Sequence, residues 1–120
     1  MTQERAEIEA LLPLPLATFH ILLALADEDR HGYGIILEVQ ARTGGALRLS
    51  AGTLYRSIQR MMEDGLIVEV HERPAPDLDD ERRRYYRITP FGARVARAEA
   101  RRLAALVKLA RAAGFAPGRA

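Results

Sequence analysis

Residues 50–71 have the sequence SAGTLYRSIQRMMEDGLIVEVH, and this stretch decides the fold. Ser50 can accept a hydrogen bond from the first turn of a following helix, and Gly65 can end that helix in a left-handed conformation. The apolar side chains between them recur at helical spacing: Leu54, Ile58, Met61. Beyond Gly65 the apolar residues alternate with polar ones instead, which is typical of a strand. The stretch therefore predicts a helix over 51–64 followed by a strand over 66–73.

More helices and a hairpin are predicted on either side of this stretch. Upstream, the periodicity and the glycine and proline positions predict helices over 3–12, 16–26 and 31–44, with a short extended piece at 47–49. Downstream, they predict a loop over 74–80, a returning strand over 83–88 and a helix over 90–113 that begins at the pair Thr89-Pro90. Three helices followed by a two-stranded hairpin form a winged helix-turn-helix.

The predicted fold class is therefore α+β, mainly α, with a C-terminal helix added to the winged helix-turn-helix. Four parts are expected along the chain. They are an N-terminal helix or arm over 1–13, the winged domain over 14–89, a C-terminal dimerisation helix over 90–114 and a tail over 115–120.

The charge of the chain is distributed unevenly. The net charge of the 120 residues is only +2. Residues 1–40 hold two basic and seven acidic side chains, whereas residues 41–120 hold sixteen basic and nine acidic ones. Lys108 is the only lysine, so nearly all the positive charge is arginine, which suits bidentate contacts to phosphate or guanine. This asymmetry is expected where one part of a protein faces a polyanion.

Several classes of protein are excluded by what the chain lacks. There is no Cys, and the three His residues at 20, 31 and 71 lie far apart, so no metal site is expected. There is no catalytic triad, phosphate loop or dinucleotide fingerprint, so neither an enzyme nor a bound cofactor is expected. The N-terminal residues are acidic and the longest apolar run is short, so we expect neither a signal peptide nor a membrane span, and a cytoplasmic location.

The helix over 51–64 is predicted to contact DNA with the face opposite Leu54. That face carries Thr53, Arg56 and Arg60, and two arginines four residues apart can reach base edges or phosphates along a groove. The arginine run 82–84 offers a second contact from the hairpin. The acidic loop tip between the two strands is expected to point away from the duplex.

The last helix is predicted to form a dimer seam. Its apolar stripe consists of Phe91, Val95, Ala98, Leu106, Leu109 and Ala113, with Arg102 inside it. A helix after the hairpin is expected to have little of its own core left to cover, so the stripe should pack against a second copy. Arg102 would then extend outward or pair with Glu99 of the partner subunit. The alternative is that the stripe folds back onto its own domain.

Four blocks of the sequence resemble the PadR family of bacterial transcriptional regulators. The blocks are 31–35 (HGYGI), 50–55 (SAGTLY), 63–67 (EDGLI) and 82–89 (RRRYYRIT) followed by Gly92. The resemblance implies a winged helix, a homodimer formed through the C-terminal helix, and repression relieved by a small ligand or stress signal. The length is similar to that of the subfamily with a single C-terminal helix. The family often has Pro where this chain has Arg56.

The resemblance carries DNA contact onto Gly52, Thr53, Tyr55 and the run 82–84. With the helical-wheel additions, the predicted DNA-binding set is Tyr33, Ser50, Gly52, Thr53, Tyr55, Arg56, Ser57, Arg60, Arg82, Arg83 and Arg84. The expected partners are double-stranded DNA with a palindromic operator, a second copy of the chain and a small-molecule effector. Two other functions stay open, namely a winged-helix adaptor between proteins and a ligand sensor without DNA binding.

Overall fold

The computed structural model describes residues 2–71 and 84–115. Their helices are α1 (Thr2–Leu11), α2 (Leu16–Ala24), α3 (Gly32–Arg42), α4 (Ala51–Glu63) and α5 (Pro90–Ala112). Their strands are β1 (Arg30–His31), β2 (Ile67–Val70) and β3 (Tyr85–Ile88). The predicted helices and the β-hairpin are confirmed to within about two residues at most ends. The predicted loop over 74–80, and Arg83 at the start of the returning strand, lie outside the described residues.

The helix ends form where the sequence signals place them. Ser50 caps α4 and Thr89 caps α5, each accepting a hydrogen bond from the backbone three residues on. Gly65 and Gly114 follow the two helices with φ of 77° and 89°, a left-handed conformation that glycine adopts without steric cost. Local sequence signals therefore determine where α4 and α5 begin and where each of them ends.

The hydrophobic core centres on α2, which is apolar nearly all round. Its buried side chains Ile21, Leu22 and Leu25 pack against residues of α3, α4 and α5. Burying aliphatic side chains of this size stabilises a fold by roughly 1.5–3 kcal/mol each relative to leaving them in water. One continuous core therefore holds the three helices in fixed orientations.

The sheet contains three antiparallel strands in the order β1–β3–β2. Ile67 pairs with Ile88 in the hairpin, and His31 pairs with Tyr85 at the other edge. Residues 47–49, predicted to be a short extended piece, form no strand, and the short strand of the sheet is Arg30–His31, before α3. A two-residue strand exists only through its pairing with β3, which no local pattern records. With this sheet and the helices before it, the fold is a winged helix-turn-helix, mainly α.

Helix α5 is divided between two environments. Its first half packs on α2 and α1, and Val95 is completely buried in the core of its own domain. Gly92 lies so close to the carbonyl group of Leu66 that a Cβ at this position would collide with it. The predicted dimer stripe is therefore wrong at Val95, because a side chain without accessible surface has none to offer a second copy.

Arg102 also has a different partner from the one expected. Its guanidinium forms two hydrogen bonds with Glu99 of the same helix, at 2.7 and 3.0 Å. Glu99 is only 3% exposed, and its carboxylate also accepts a hydrogen bond from the backbone of Leu14. The hydrogen bonds from Arg102 hold the pKa of Glu99 below its usual range. The pair thus ties α5 to the connection between α1 and α2 within one chain.

Membrane spans were sought among residues 2–71 and 84–115. No single helix there is long and apolar enough to cross a bilayer. Only the bent pair of segments 3–11 and 16–24, which meet at 114°, has the required length and composition when the two are taken together.

Candidate nucleic-acid interface

The N-terminus of α4 is held open toward solvent. The Ser50 hydroxyl accepts a hydrogen bond from the Thr53 N–H at 3.1 Å and lies 3.1 Å from the Thr53 hydroxyl. Ala51 and Gly52 in the first turn are exposed. The first N–H groups of a helix lack partners within the helix and carry its positive end, so this turn attracts an anion. The predicted contact residues Ser50, Gly52 and Thr53 therefore lie together in this turn.

Helix α3 lies close to α4 at Gly32. A Cβ on Gly32 would collide with the Tyr55 hydroxyl and would lie 3.2 Å from Leu54 Cδ2. The absence of a side chain at Gly32 thus leaves room for the Tyr55 ring between the two helices. Tyr55 is nevertheless 50% exposed, and Tyr33 in the first turn of α3 is 62% exposed. Both predicted tyrosines are therefore available for contact, and the ring of Tyr55 is positioned by packing.

Arg56 and Arg60 are both exposed on α4, but their surroundings differ. Arg56 has no acidic partner within 4 Å in the described part of the chain, and its Nη1 lies 3.3 Å from a Cβ built on Gly52. Arg60 Nε instead lies 3.3 Å from Asp64 Oδ2, one turn further along the helix. Of these two arginines, Arg56 alone is without an acidic partner among the described residues, and it lies close to the open end of α4. Ser57, also predicted as a contact, is half-buried.

The surroundings of Arg60 also place it away from the open end. Together with Asp64 it lines a small cavity of about 210 Å³ between the C-terminal end of α4 and the α1–α2 connection. Leu11 and the buried Thr18 lie on the other side of this cavity. The helical wheel places Arg56 and Arg60 on one face, but the structure puts only Arg56 near the first turn.

The wing is anchored at its base. His31 Nδ1 accepts a hydrogen bond from the Gly34 N–H at 3.0 Å, and its ring meets that of Tyr85 edge-on with centroids 5.3 Å apart. One histidine therefore caps α3 and packs against β3. The next residue, Tyr86, is buried, and burial raises the pKa of its phenol, which stays protonated at neutral pH.

Only one of the three wing arginines predicted to contact DNA is described. Arg84 is exposed, and its Nε lies 3.9 Å from Glu69 Oε2 on the neighbouring strand. Arg82, Arg83 and the acidic tip lie outside the described residues. Arg87, three residues further along the chain in β3, forms two hydrogen bonds with Asp29, at 3.1 and 2.8 Å. This pair joins the wing to the α2–β1 connection.

Two features were not predicted from the sequence, namely the exposed Arg48 and a set of ion pairs between α3, β1 and the α2–β1 connection. Arg48 is exposed three residues before the start of α4, and none of the described acidic groups lies within 4 Å of it. The sequence did contain a pattern that places Arg48 outward, since it alternates with Leu47 and Leu49. The structure agrees with this pattern, because Leu49 is buried. Arg30 and Arg42 instead pair with Asp27 and Glu38, and each also donates to a backbone carbonyl near the end of α2.

A search for groups of side chains that could bind a metal covered the described residues. Among residues 2–71 and 84–115, no group of three histidine or carboxylate side chains could hold a metal ion. The described surface instead consists of a helix N-terminus, a tyrosine packed against Gly32, and Arg48 and Arg56, which have no acidic partner within 4 Å among the described residues.

Comparison with known proteins identifies the family. Residues 21–98 match the sequence model described as "Transcriptional regulator PadR-like family". The chain belongs to this family. The transcriptional regulator Rv3488 of Mycobacterium tuberculosis is 42% identical over 92 residues, which cover 77% of each chain. An uncharacterized protein of Lysinibacillus sphaericus is 37% identical over 73 residues, and the match spans 60% of this chain but only 63% of that relative's length.

Solved structures share the fold of this PadR-like chain. A PadR family transcription regulator from Clostridium difficile superimposes with a TM-score of 0.67 at 23% identity, covering 81% of this chain and 96% of that one. Bacillus subtilis PadR, solved in complex with operator DNA, gives a TM-score of 0.59 at 16% identity, covering 72% of this chain and 47% of that one. The resemblance predicted from four sequence blocks is thus confirmed, and the family is one of regulators rather than enzymes.

Proposed function

We propose that this chain is a DNA-binding transcriptional regulator that reads the major groove with α4. The observation that carries the proposal is that one side of α4 is buried in the core and the opposite side is exposed. Leu54, Ile58 and Met61 fix one side in the core, whereas the other side presents an open N-terminus and Arg56, which has no acidic partner within 4 Å among residues 2–71 and 84–115. A helix held in this way can enter a major groove without disturbing the core. The complex of B. subtilis PadR with operator DNA supports the same role here.

The flanking contacts are proposed to be electrostatic. Exposed Arg48 precedes α4, and exposed Arg84 directly precedes β3. With Arg82 and Arg83 they would bind phosphates on either side of the groove. Each neutralised phosphate steepens the dependence of the logarithm of the affinity on the logarithm of salt concentration by about 0.9. Binding of the wild-type protein to its operator should therefore weaken steeply with salt.

The test compares arginine variants on an operator selected from genomic fragments. Fluorescence anisotropy at about 0.15 M salt measures the affinity. We expect Arg56→Ala to weaken binding by about tenfold or more, since a bidentate base contact contributes roughly 1–3 kcal/mol. Arg60→Ala should weaken it less, because Asp64 already neutralises that charge. The double variant should abolish specific binding while leaving the helical circular dichroism unchanged.

A matched control removes the same charge far from α4. Arg111→Ala lies in the last turn of α5 and should leave the affinity within about twofold of wild type. Equal losses for Arg56→Ala and Arg111→Ala would mean that only overall charge matters and would refute the assignment of α4. A wild-type chain that selects no DNA fragment would favour the adaptor between proteins instead.

We further propose a homodimer formed through the second half of α5. Leu106 and Leu109 on that half are 54% and 67% exposed, and they continue the stripe whose first half is buried. Leu16 and Leu23 form a second exposed apolar strip on α2, the helix on which α5 packs. Of the other predicted seam residues, Ala113 directly follows α5, Ala98 lies in the first half of the helix, and Phe91 is already packed against its own core.

Sedimentation velocity tests the dimer. Leu106→Glu combined with Leu109→Glu should convert the dimer to a monomer, since two charges would have to be buried in the seam. Lys108→Glu, an exposed change on the same turn of the helix, should leave the dimer intact. An unchanged sedimentation coefficient in the double variant would refute the seam.

Repression relieved by a small ligand or a stress signal completes the proposal, and it is supported by the family alone. Such a regulator would act in the cytoplasm, where the operator is. A reporter placed behind the selected operator tests the sign of regulation. Deletion of the gene should raise expression from a repressed promoter, whereas lowered expression would make the protein an activator.

A further inference from the structure

A groove runs between α1 and the first half of α5, away from the reading face of α4. We call it the α1–α5 groove and define it by Arg5, Ile8 and Leu12 on one side and Arg97, Ala98 and Arg101 on the other. Its volume is about 710 Å³. Sites for small molecules generally have volumes of about 300–1,000 Å³ and combine apolar walls with a few polar groups.

The two walls are joined by an ion pair. The Arg94 guanidinium forms two hydrogen bonds with Glu4 across the groove, at 2.8 and 3.0 Å. Planar arginine–carboxylate pairs of this kind are geometrically specific. Because Arg94 and Glu4 neutralise one another, they fix the width of the groove without contributing net charge to it.

The remaining charges leave the groove positive. Arg102 is neutralised by Glu99, in the same way that Arg94 is neutralised by Glu4. Arg5, Arg97 and Arg101 have no acidic group within 4 Å in the described part of the chain. Glu9 is the one remaining carboxylate among the groove's lining residues. Three cations against one anion give an excess of two positive charges.

We propose that the α1–α5 groove binds a small molecule with a dianionic head, of the phosphate monoester class, and an apolar body. Arginine presents a planar fork of donors that matches phosphate oxygens, and a dianion balances the excess charge. Arg97 and Arg101 lie four residues apart, so both reach the same face of α5. The half-buried side chains of Ile8 and Leu12 and the methyl of Ala98 provide an apolar surface for the rest of the ligand.

Arg102 connects this site to the arrangement of the helices. It lines the groove and at the same time holds the buried Glu99, which also accepts a hydrogen bond from the backbone of Leu14. A dianion that attracts Arg102 leaves the buried carboxylate with one partner fewer, which is costly in a dry environment. The position of α5 relative to the α1–α2 connection then changes. The effect on DNA rests on the proposed function, whereas ligand binding does not.

Isothermal titration calorimetry of the full chain at pH 7.5 tests the site with three probes. Phenyl phosphate combines the dianion with an apolar body, inorganic phosphate lacks the body, and benzyl alcohol lacks the charge. We expect one phenyl phosphate per chain, weaker binding of inorganic phosphate and no heat from benzyl alcohol. Arg97→Gln and Arg101→Gln should each weaken phenyl phosphate by about tenfold, since a hydrogen bond to a charged group is lost.

Arg111→Gln is the matched control, since it removes one exposed charge from α5 outside the groove. Equal weakening by Arg111→Gln, or equal affinities for phenyl phosphate and inorganic phosphate, would overturn the site. A change of sedimentation coefficient in Arg97→Gln without any loss of phenyl phosphate binding would also overturn it, because a second copy would then cover the groove.

Operator affinity measured with and without phenyl phosphate separates the two proposals. Weaker DNA binding in the presence of the probe, absent in Arg97→Gln, supports the regulatory role. Unchanged DNA affinity with bound probe overturns that role and leaves the binding site standing. A chain that binds the probe but no DNA overturns the proposed function alone.

Discussion

Replacing Gly92 by alanine should destabilise the fold by an amount that the structure allows us to work out. The new Cβ would collide with the carbonyl oxygen of Leu66, lie 3.0 Å from its carbonyl carbon and lie 3.1 Å from Ile88 Cγ1. The start of α5 must therefore move away from Leu66. That carbonyl accepts hydrogen bonds from the Thr89 N–H at 3.0 Å and from the Thr89 hydroxyl at 3.1 Å, and both would lengthen.

The free energies can be combined. Two weakened hydrogen bonds cost roughly 1–3 kcal/mol and overpacking of a core costs about 1–3 kcal/mol, whereas alanine gains about 1 kcal/mol over glycine inside a helix. We expect a net loss of about 1–5 kcal/mol in the free energy of unfolding, which for a chain of this length lowers the Tm by roughly 4–20 °C. Urea unfolding followed by circular dichroism, at one fixed protein concentration, measures it.

Gly52→Ala is the matched control for this experiment. Its Cβ would meet only the flexible tip of Arg56, at 3.3 Å, so the same substitution should leave stability unchanged or raise it by up to about 1 kcal/mol. A Gly92→Ala variant within about 0.5 kcal/mol of wild type, with an unchanged urea dependence, would refute the reasoning from close approach.

Three further expectations can be measured on the same protein. Ser50→Ala removes the cap of α4 and should cost about 1 kcal/mol of unfolding free energy in a urea titration, and no loss would mean that the cap is replaced by water. Gly32→Ala should displace the Tyr55 ring and weaken operator binding several-fold with little loss of stability, whereas a large fall in Tm with unchanged affinity would contradict this. The folded-state pKa of Glu99 is lowered, so its ionised form stabilises the fold above the ordinary glutamate pKa of about 4.3, and this stabilisation is lost as the pH falls through the lower folded-state value. The stability difference between wild type and Glu99→Gln should therefore shrink from pH 7 to pH 3, and a difference independent of pH would count against the ion pair.

The sequence predicted the features of the fold that depend on neighbouring residues. Ser50, Gly65 and the pair Thr89-Pro90 mark helix ends because their hydrogen bonds and backbone angles involve only the adjacent turn. The apolar period likewise distinguishes α4 from β2 without knowledge of any partner. The position of β1 escaped prediction because it is set by pairing with β3, more than fifty residues away.

The sequence placed the candidate contact residues of α4 on one face of a helix, but it did not show which of their charges are paired. The wheel placed Arg56 and Arg60 on one face, yet only the three-dimensional structure shows that Asp64 compensates Arg60 and that nothing described compensates Arg56. The stripe on α5 was read correctly as apolar, but an apolar stripe does not record whether its own domain or a second copy covers it. Val95 and Leu109 belong to the same stripe and have opposite exposures.

The division of α5 between two environments has a mechanical consequence. The helix is about 35 Å long and unbroken, with one end embedded in the winged domain and the other in the proposed seam. A rotation of about 10° at the seam would therefore carry the far end through roughly 6 Å, nearly two base-pair steps of about 3.4 Å. In a dimer of this kind, the spacing of the two half-sites would be set by the crossing angle of two rigid rods. A molecule that altered that angle could disengage the protein from its operator without touching a residue that faces DNA.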